Sequence, residues 1–302
     1  MISLADIKQF FKGSISLNEP LARFTTFRIG GEADYLVEPV DAQDLLNIVK
    51  YCNSKVMPFY VMGNGSNILI SDEGIRGVVI NLETGFNYLR NENNAVITGA
   101  GVKLAKFVDF CIQNNYAGVE MLSGIPATVG GALVMNAGCY GGETSTYATE
   151  VRVIRNEQII NLNWLECGFR YRGSNLKDSV IMQAKFELPG GNKDELSKDR
   201  KNWILKRNES QPVEIPNAGC IFKNPAGNHA AVLIEECGLK SATVGGAMVS
   251  PKHANFIVNL NNATANDVLE LVKKIKKTVK QNKGIDLDLE VKLIGFEEVP
   301  VL

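Results

Sequence analysis

The sequence predicts an α+β chain of about two domains. Three observations carry that reading. The chain has 302 residues, long enough to split into more than one core. Short runs of β-branched and aromatic residues alternate with segments of helical periodicity. Pro189-Gly190-Gly191-Asn192 is a cluster of strong breakers and the best candidate boundary.

Before that break, Asp41–Ser54 places Leu45, Ile48, Val49 and Cys52 at helical spacing. Phe59-Tyr60-Val61-Met62 reads as a strand entering Gly63-Asn64-Gly65-Ser66-Asn67, and Ile68-Leu69-Ile70 as an extended run leaving it. Val78-Val79-Ile80 and Ala95-Val96-Ile97 are further strands. Lys103–Asn115 reads as a helix with Leu104, Phe107, Val108 and Cys111 inward, and strands resume at Glu150–Arg155 and Ser179–Leu188. After the break, Asp194–Asn208 reads as a helix. The clearest element follows Thr264. Asp267 stands in the place of a capping-box partner, Val268, Leu271, Val272, Ile275 and Val279 share one face, and Gly284 is the stop. The lysines from Lys273 to Lys283 then fall on a solvated side.

Composition excludes several classes. Apolar residues are 45%, charged residues 22% and the formal net charge is −1, so nothing calls for a nucleic acid or an anionic membrane as partner. The six cysteines, Cys52, Cys111, Cys139, Cys167, Cys220 and Cys237, include no CxxC pair. They read as small buried hydrophobes, not as zinc ligands or a disulfide framework. The start Met1-Ile2-Ser3-Leu4-Ala5-Asp6 lacks a basic stretch followed by an apolar one, so the expectation is a cytoplasmic chain without a signal peptide. Met121–Gly142 is uncharged and long enough to span a bilayer, but its recurrent glycines make a poor helix, so no membrane span is expected.

Chemistry concentrates in three glycine-rich segments. Gly63-Asn64-Gly65-Ser66-Asn67-Ile68 looks like a dinucleotide fingerprint, but the sixth position is Ile68 and an extended segment follows instead of a helix. The physical content survives: glycines admit a ligand close to the main chain, and successive N–H groups form a nest for anions. The same holds for Ser123-Gly124-Ile125-Pro126-Ala127-Thr128-Val129-Gly130-Gly131 and Asn136-Ala137-Gly138-Cys139-Tyr140-Gly141-Gly142. Spacing alone leaves tight turns and strand packing equally open.

Motif order goes further. Thr25-Thr26-Phe27-Arg28-Ile29-Gly30-Gly31, the Gly63–Asn67 loop, Gly124–Gly131 leading to Met135-Asn136-Ala137-Gly138, and Tyr171-Arg172-Gly173-Ser174 occur in that order. Pro216-Asn217-Ala218-Gly219-Cys220-Ile221-Phe222-Lys223-Asn224-Pro225, Val244-Gly245-Gly246-Ala247, Lys252-His253-Ala254-Asn255-Phe256 and Leu289-Glu290-Val291 complete it. From Thr25 to Gly295 the chain resembles the UDP-N-acetylenolpyruvoylglucosamine reductases, and Tyr140-Gly141-Gly142-Glu143 resembles their shorter class, which lacks a tyrosine-bearing insertion.

The resemblance implies two FAD-binding lobes of the vanillyl-alcohol-oxidase type, 1–75 and 76–190, and a substrate-binding α+β domain, 194–302. It implies NADPH-dependent reduction of the enolpyruvyl group of a UDP-sugar in peptidoglycan precursor synthesis. No metal, nucleic acid, membrane or obligate protein partner is implied. Neither histidine, His229 or His253, precedes the break, which argues for non-covalent FAD, with Cys139 as the reservation. The flavin contacts implied are Gly63, Asn64, Gly65, Ser66, Asn67, Ile68, Gly99, Ala100, Ser123, Gly124, Ile125, Pro126, Ala127, Val129, Gly130, Gly131, Asn136, Ala137 and Gly138.

The implied catalytic set is Arg172, Cys220 and Glu290. A guanidinium offers a paired hydrogen bond to a carboxylate at any working pH. Arg170 is adjacent, but the Tyr-Arg-x-Ser spacing selects Arg172. Cys220 stands where many members have serine as proton donor. A thiol, with pKa about 8.5, is the stronger acid; the alternative is that Cys220 packs and water supplies the proton. Glu290 stands on the face opposite Leu287, Leu289 and Val291 if the segment is extended, and Asp288-Leu289 departs from the family's more frequent Glu-Pro. Without the resemblance Glu290 is an exposed glutamate. Tyr171, Arg207, Gln211, Lys223 and Asn224 are implied substrate contacts, and Val232 stands where relatives of this class often carry lysine. The open alternatives are an FAD-linked oxidase or dehydrogenase for another small molecule, and a non-catalytic FAD-binding protein.

Overall fold

The computed structural model describes residues 4–296. They pack as two compact units. The first holds the chain up to Leu17, Tyr35–Asn64 and Gly77–Leu205; the second holds Asn18–Asp34, Gly65–Arg76 and the chain from Lys206 onward. The sequence-based segments 1–75, 76–190 and 194–302 run consecutively, and their ends 1–3 and 297–302 lie outside the described residues. Packing instead returns two short N-terminal stretches to the unit that holds the C-terminal third. Long-range pairing does this: Ile68–Ile70 forms a parallel ladder with Lys292–Ile294, and Thr26 Oγ1 donates to the Asn217 carbonyl at 2.7 Å. The breaker cluster 189–192 ends a strand region and starts the helix Lys193–Ser210, capped by Asn192 Oδ1; the boundary between units falls later, inside that helix.

The first unit is built on a five-stranded antiparallel sheet in the order Gln158–Asn163, Ala148–Arg155, Val180–Phe186, Ala95–Gly99, Leu89–Glu92. Its helices Ala42–Ser54 and Leu104–Gln113 turn Leu45, Ile48, Val49 and Cys52, and Leu104, Phe107, Val108 and Cys111, into one core. Residues 14–17, 35–38, 77–81 and 59–62 of this unit belong to a four-stranded sheet ordered Ser14–Pro20, Glu32–Glu38, Ile75–Asn81 and Phe59–Met62. One feature of this region escapes periodicity. Asp44 is fully buried on the helix's apolar face, where its carboxylate accepts the backbone N–H groups of Lys12, Gly13 and Val40 at 2.9, 3.0 and 3.1 Å.

The glycine-rich stretch departs from expectation. Val129–Met135 is helical despite Gly130 and Gly131. Thr128 caps it, its Oγ1 accepting the Gly131 N–H at 3.3 Å. Gly130 lets it pack closely, since a Cβ there would stand 2.9 Å from the Ala100 Cβ. Tertiary packing thus overrides low propensity. Among the described residues no helix is long and apolar enough to cross a membrane.

In the second unit, a four-stranded antiparallel sheet orders Asn217–Cys220, Phe256–Asn259, Ala247–Val249 and Thr243–Val244. Its core is closed by the helix Ala265–Lys283, whose buried side carries Val268, Leu271, Val272, Ile275 and Val279. Asp267 completes a true capping box. Its Oδ2 accepts the Thr264 N–H and its own N–H reaches Thr264 Oγ1, each at 3.0 Å. Asp72 adds a second anchor, accepting the Ala265 and Asn266 N–H groups. Leu287–Val291 is irregular apart from a bridge at Leu289, although Leu287 and Val291 are buried as the alternation requires.

Candidate active site

Two of the glycine-rich segments meet in the first unit. A Cβ on Gly63 would lie 2.3 Å from Thr128 Oγ1, so only glycine admits this contact. Asn64 Nδ2 donates to the Pro126 carbonyl at 2.7 Å, and Gly130 and Val129 donate their N–H groups to the Ala100 and Val102 carbonyls. Gly99 is held on its strand with its Cα side against the Phe86 carbonyl. Gly131 differs from its neighbours: it is exposed, and a Cβ there would meet only Thr128 Oγ1, at 3.4 Å. The result is an uncharged surface of main chain and small side chains around Asn64, Thr128 and Gly131. Small residues that admit close approach to the main chain fit a flavin dinucleotide, whose ring needs that approach more than countercharge. Ser123, Gly124, Ile125 and Ala127 build the turn that leads into it: the Ser123 hydroxyl is buried on the Glu120 carbonyl, and Ala127 O accepts the Leu104 N–H.

Asn136, Ala137 and Gly138 are held by internal bonds. Asn136 is buried in a left-handed conformation; its amide donates to Glu143 Oε2 at 2.7 Å and accepts from the Ser145 N–H. Ala137 O receives both the N–H and the hydroxyl of Thr144. Gly138 O accepts Arg172 Nη2 at 3.1 Å.

Arg172 lies on a two-residue turn closed by reciprocal backbone bonds between Arg170 and Gly173. Its φ is +54°, a left-handed conformation that a non-glycine residue adopts at a cost of order 1–3 kcal/mol and that recurs at functional sites. Its guanidinium stacks 5.0 Å from the ring of Tyr171, itself half exposed. Arg170 is occupied elsewhere: its Nη1 braces the Gly168 carbonyl and Asn175 Oδ1. The two arginines are thereby told apart by partners as well as by spacing.

The rest of the Gly63–Ile68 loop belongs to the second unit. Gly65 is left-handed, φ +60°, and a Cβ would strike the Phe24 carbonyl at 2.2 Å; its own carbonyl accepts the Thr26 N–H. Ser66 follows, Asn67 Nδ2 reaches the Glu290 carbonyl at 3.2 Å, and Ile68 opens a strand, which is why the loop is no Rossmann turn.

Cys220 and Glu290 come together in this unit. Cys220 ends the strand Asn217–Cys220, whose register against Phe256–Asn259 slips between Asn217 and Cys220. Gly219 takes the slip with φ +74°. Just beyond, Ile221 O accepts the Glu290 N–H at 2.8 Å, and the Lys223 N–H reaches Asp288 O at 2.9 Å. Cys220 and Glu290 therefore flank the same backbone bond, both half buried. Asn224 Oδ1 accepts the Ala230 N–H, opening the helix Ala230–Glu236. Arg207 and Gln211 close the helix Lys193–Ser210, with the Gln211 N–H on the Arg207 carbonyl; Gln211 Oε1 is buried with no hydrogen-bond partner among the described residues. Val232 is exposed.

Sequence reasoning passed over two residues that shape these surfaces. Thr128 appeared only inside a motif, though Thr followed two residues later by glycines is a capping signal. Asn255 carries three bonds to Ile221 and Phe222. Of the other thiols, burial pushes Cys52 up to about 12 and Cys167 up to about 11, with Cys111 raised further, as expected of packing residues.

Known proteins share this arrangement. The FAD binding domain profile matches residues 33–158, and the profile of the UDP-N-acetylenolpyruvoylglucosamine reductase C-terminal domain matches 211–294. UDP-N-acetylenolpyruvoylglucosamine reductase of Chloroherpeton thalassium is 42% identical over 99% of both chains. The protein of that name from Caldanaerobacter subterraneus subsp. tengcongensis is 42% identical over 96% of this chain and 97% of its own. The crystal structure of UDP-N-acetylenolpyruvylglucosamine reductase (MurB) from Thermus caldophilus superposes with TM-score 0.81 at 35% identity, covering 94% of this chain and 100% of that one. The chain belongs to the UDP-N-acetylenolpyruvoylglucosamine reductase family.

Proposed function

We propose that the chain reduces the enolpyruvyl group of UDP-N-acetylglucosamine enolpyruvate to give UDP-N-acetylmuramate, with NADPH as reductant, in cytoplasmic synthesis of peptidoglycan precursors. The observation that supports the chemistry is the Glu290 N–H to Ile221 O bond, which joins Glu290 to the residue that follows Cys220. Bound FAD would supply the hydride-transfer chemistry that links NADPH to the enolpyruvyl group. Gly63, Asn64, Thr128, Gly130 and Gly131 of the first unit would hold it through main chain and small side chains, without a covalent bond. Within the proposed segments, the flavin-holding residues lie in 1–75 and 76–190, and 194–302 carries the substrate-binding residues Arg207, Gln211, Lys223 and Asn224.

The protein's remaining tasks are to hold the substrate and complete the proton balance. Arg172 presents its fork to the carboxylate, into which the negative charge at the α-carbon spreads. Glu290 in its protonated form is a hydrogen-bond donor for the substrate. The Cys220 S–H bond breaks and its proton joins the α-carbon, leaving a thiolate that solvent reprotonates. Hydride at one carbon and proton at the other account for both added hydrogens. Tyr171, Arg207, Gln211, Lys223 and Asn224 contact the UDP-sugar; the orphaned Gln211 Oε1 supports such a role, since a buried acceptor left unmade is costly.

The test is the spectrum and stoichiometry of purified protein. Flavin absorption, colour released to the supernatant by acid, and NADPH consumed in step with the enolpyruvyl sugar without oxygen uptake are expected. Oxygen-dependent turnover of another substrate, or flavin retained in the acid pellet, would contradict the proposal.

A further inference from the structure

We infer that Asn255 is a positioning residue for the reduction of the enolpyruvyl group, acting through the backbone that carries Cys220 and Glu290. The inference rests on the roles proposed above for those two residues. Asn255 is 3% exposed. It makes three bonds to two consecutive residues: its carbonyl accepts the Ile221 N–H at 2.9 Å, its Oδ1 accepts the Phe222 N–H at 3.0 Å, and its Nδ2 donates to the Phe222 carbonyl at 2.8 Å.

The side-chain pair does what a strand neighbour would do. After the slip at Gly219, the strand containing Cys220 loses its regular register against Phe256–Asn259. The partner chain also ends there: Phe256 N–H turns back onto the His253 carbonyl. Phe222, 1% exposed, would have both main-chain polar groups buried without partners. The Asn255 amide supplies an acceptor and a donor in one plane and so adds one more rung to the ladder. The rung is continuous with the next: Ile221 O receives the Glu290 N–H at 2.8 Å, and Leu289 bridges Phe222. Nδ2 and Oδ1 thus hold the backbone that begins at Cys220 and is bonded to Glu290. An apolar residue of the same size would fill the space but leave the Phe222 N–H and carbonyl buried without partners, so that its two peptide planes are held from one side only, by the Glu290–Ile221 and Lys223–Asp288 bonds.

An isostere separates this role from packing. Ionised aspartate keeps the acceptor and loses the donor. Protonated aspartic acid has both, one oxygen accepting from Phe222 N–H and one O–H donating to Phe222 O. Burial raises the carboxyl's pKa, so the change falls within a usable pH range. The neighbouring titratable groups are Cys220, Glu290, Asp288, Lys223 and His253, whose Nδ1 accepts the Asn255 N–H. Dividing each variant rate by the wild-type rate at the same pH cancels their own titrations.

The experiment uses the FAD-loaded enzyme in anaerobic stopped flow. For Asn255→Asp at pH 8, we expect oxidation of reduced flavin by the enolpyruvyl sugar to slow by about 10-fold or more while reduction by NADPH changes less than about 3-fold; an effect of that size matches loss of one oriented buried hydrogen bond. Towards pH 5.5 the ratio should recover to within about 3-fold of wild type. Asn255→Leu, which has no rung at any pH, should be slow throughout. A flat ratio across pH, or equal slowing of both half-reactions, overturns the inference. If Asn255→Leu fails to fold, the pH dependence of Asn255→Asp alone decides. Cys220→Ala run in parallel keeps the two readings apart: normal sugar-dependent oxidation there overturns the catalytic assignment, whereas slow oxidation there with unaffected Asn255 variants overturns only the positioning role.

Discussion

Replacing Arg172 with lysine tests the geometry of the first unit. The substitution keeps one positive charge and loses the planar fork. In this structure Nη2 is tied to the Gly138 carbonyl at 3.1 Å and the guanidinium lies on Tyr171. A lysine ammonium has no second nitrogen to keep that anchor while binding a carboxylate. One oriented donor aimed at developing charge contributes about 10²–10³ in rate, about 2.7–4 kcal/mol. In anaerobic stopped flow, sugar-dependent flavin oxidation should fall by about 10²-fold, with reduction by NADPH within a few-fold of wild type. Arg170→Lys is the control. Its partners Gly168 and Asn175 are local, so it should lower Tm without separating the half-reactions. Equal loss in both half-reactions for Arg172→Lys, or a selective loss for Arg170→Lys, would refute the reasoning.

Three further outcomes follow from other parts of the chain. Cys220→Ala should slow sugar-dependent flavin oxidation by about 10²–10⁴-fold and leave NADPH oxidation unchanged, while Cys220→Ser retains much of the rate; normal oxidation in the alanine variant would mean that water supplies the proton. Val56 is 91% exposed at φ +52°, in the closing turn of the helix Ala42–Ser54, where the Met57 N–H meets Cys52 O and the Val56 N–H meets Asn53 O. Val56→Gly relieves about 1–2 kcal/mol of left-handed crowding and gives back about 0.5–1 in chain entropy, so Tm should rise by about 1–3 °C; a fall would contradict the strain. The backbone N–H of Thr264, foremost, holds the Asp267 carboxyl below its ordinary range. That stabilisation is complete above the unfolded-state value, about 3.9, and is lost as pH falls through the lower folded-state value. Asp267→Asn should therefore lower stability by about 0.3–1 kcal/mol at pH 7, with the gap closing in more acid solution, measured by urea midpoints. A gap independent of pH would remove the charge from the explanation.

Local chemistry was legible where it repeats. The face Val268–Val279 with Thr264 and Gly284 at its ends gave the last helix within a residue of each end, because period and caps agree. The glycine-rich helix Val129–Met135 was not legible, since its support is Ala100, in the turn after the strand Ala95–Gly99. Nor were the two units, whose membership is set by pairings such as Ile68 with Lys292. The end of the helix Ala42–Ser54 hid for the opposite reason: Val56 occupies the position at which glycine would have announced the turn. In the candidate site, the family resemblance pointed to Arg172, Cys220 and Glu290, but the braces Gly138 and Asn255 became visible only as hydrogen-bond partners. A side chain that satisfies buried main chain leaves no periodicity behind it.

Anaerobic addition of NADPH and then substrate to the yellow protein tests the central claim most directly. NADPH alone should bleach the flavin band, and stoichiometric UDP-N-acetylglucosamine enolpyruvate should restore it without oxygen. A bleached protein whose colour returns only on admitting air would contradict the account.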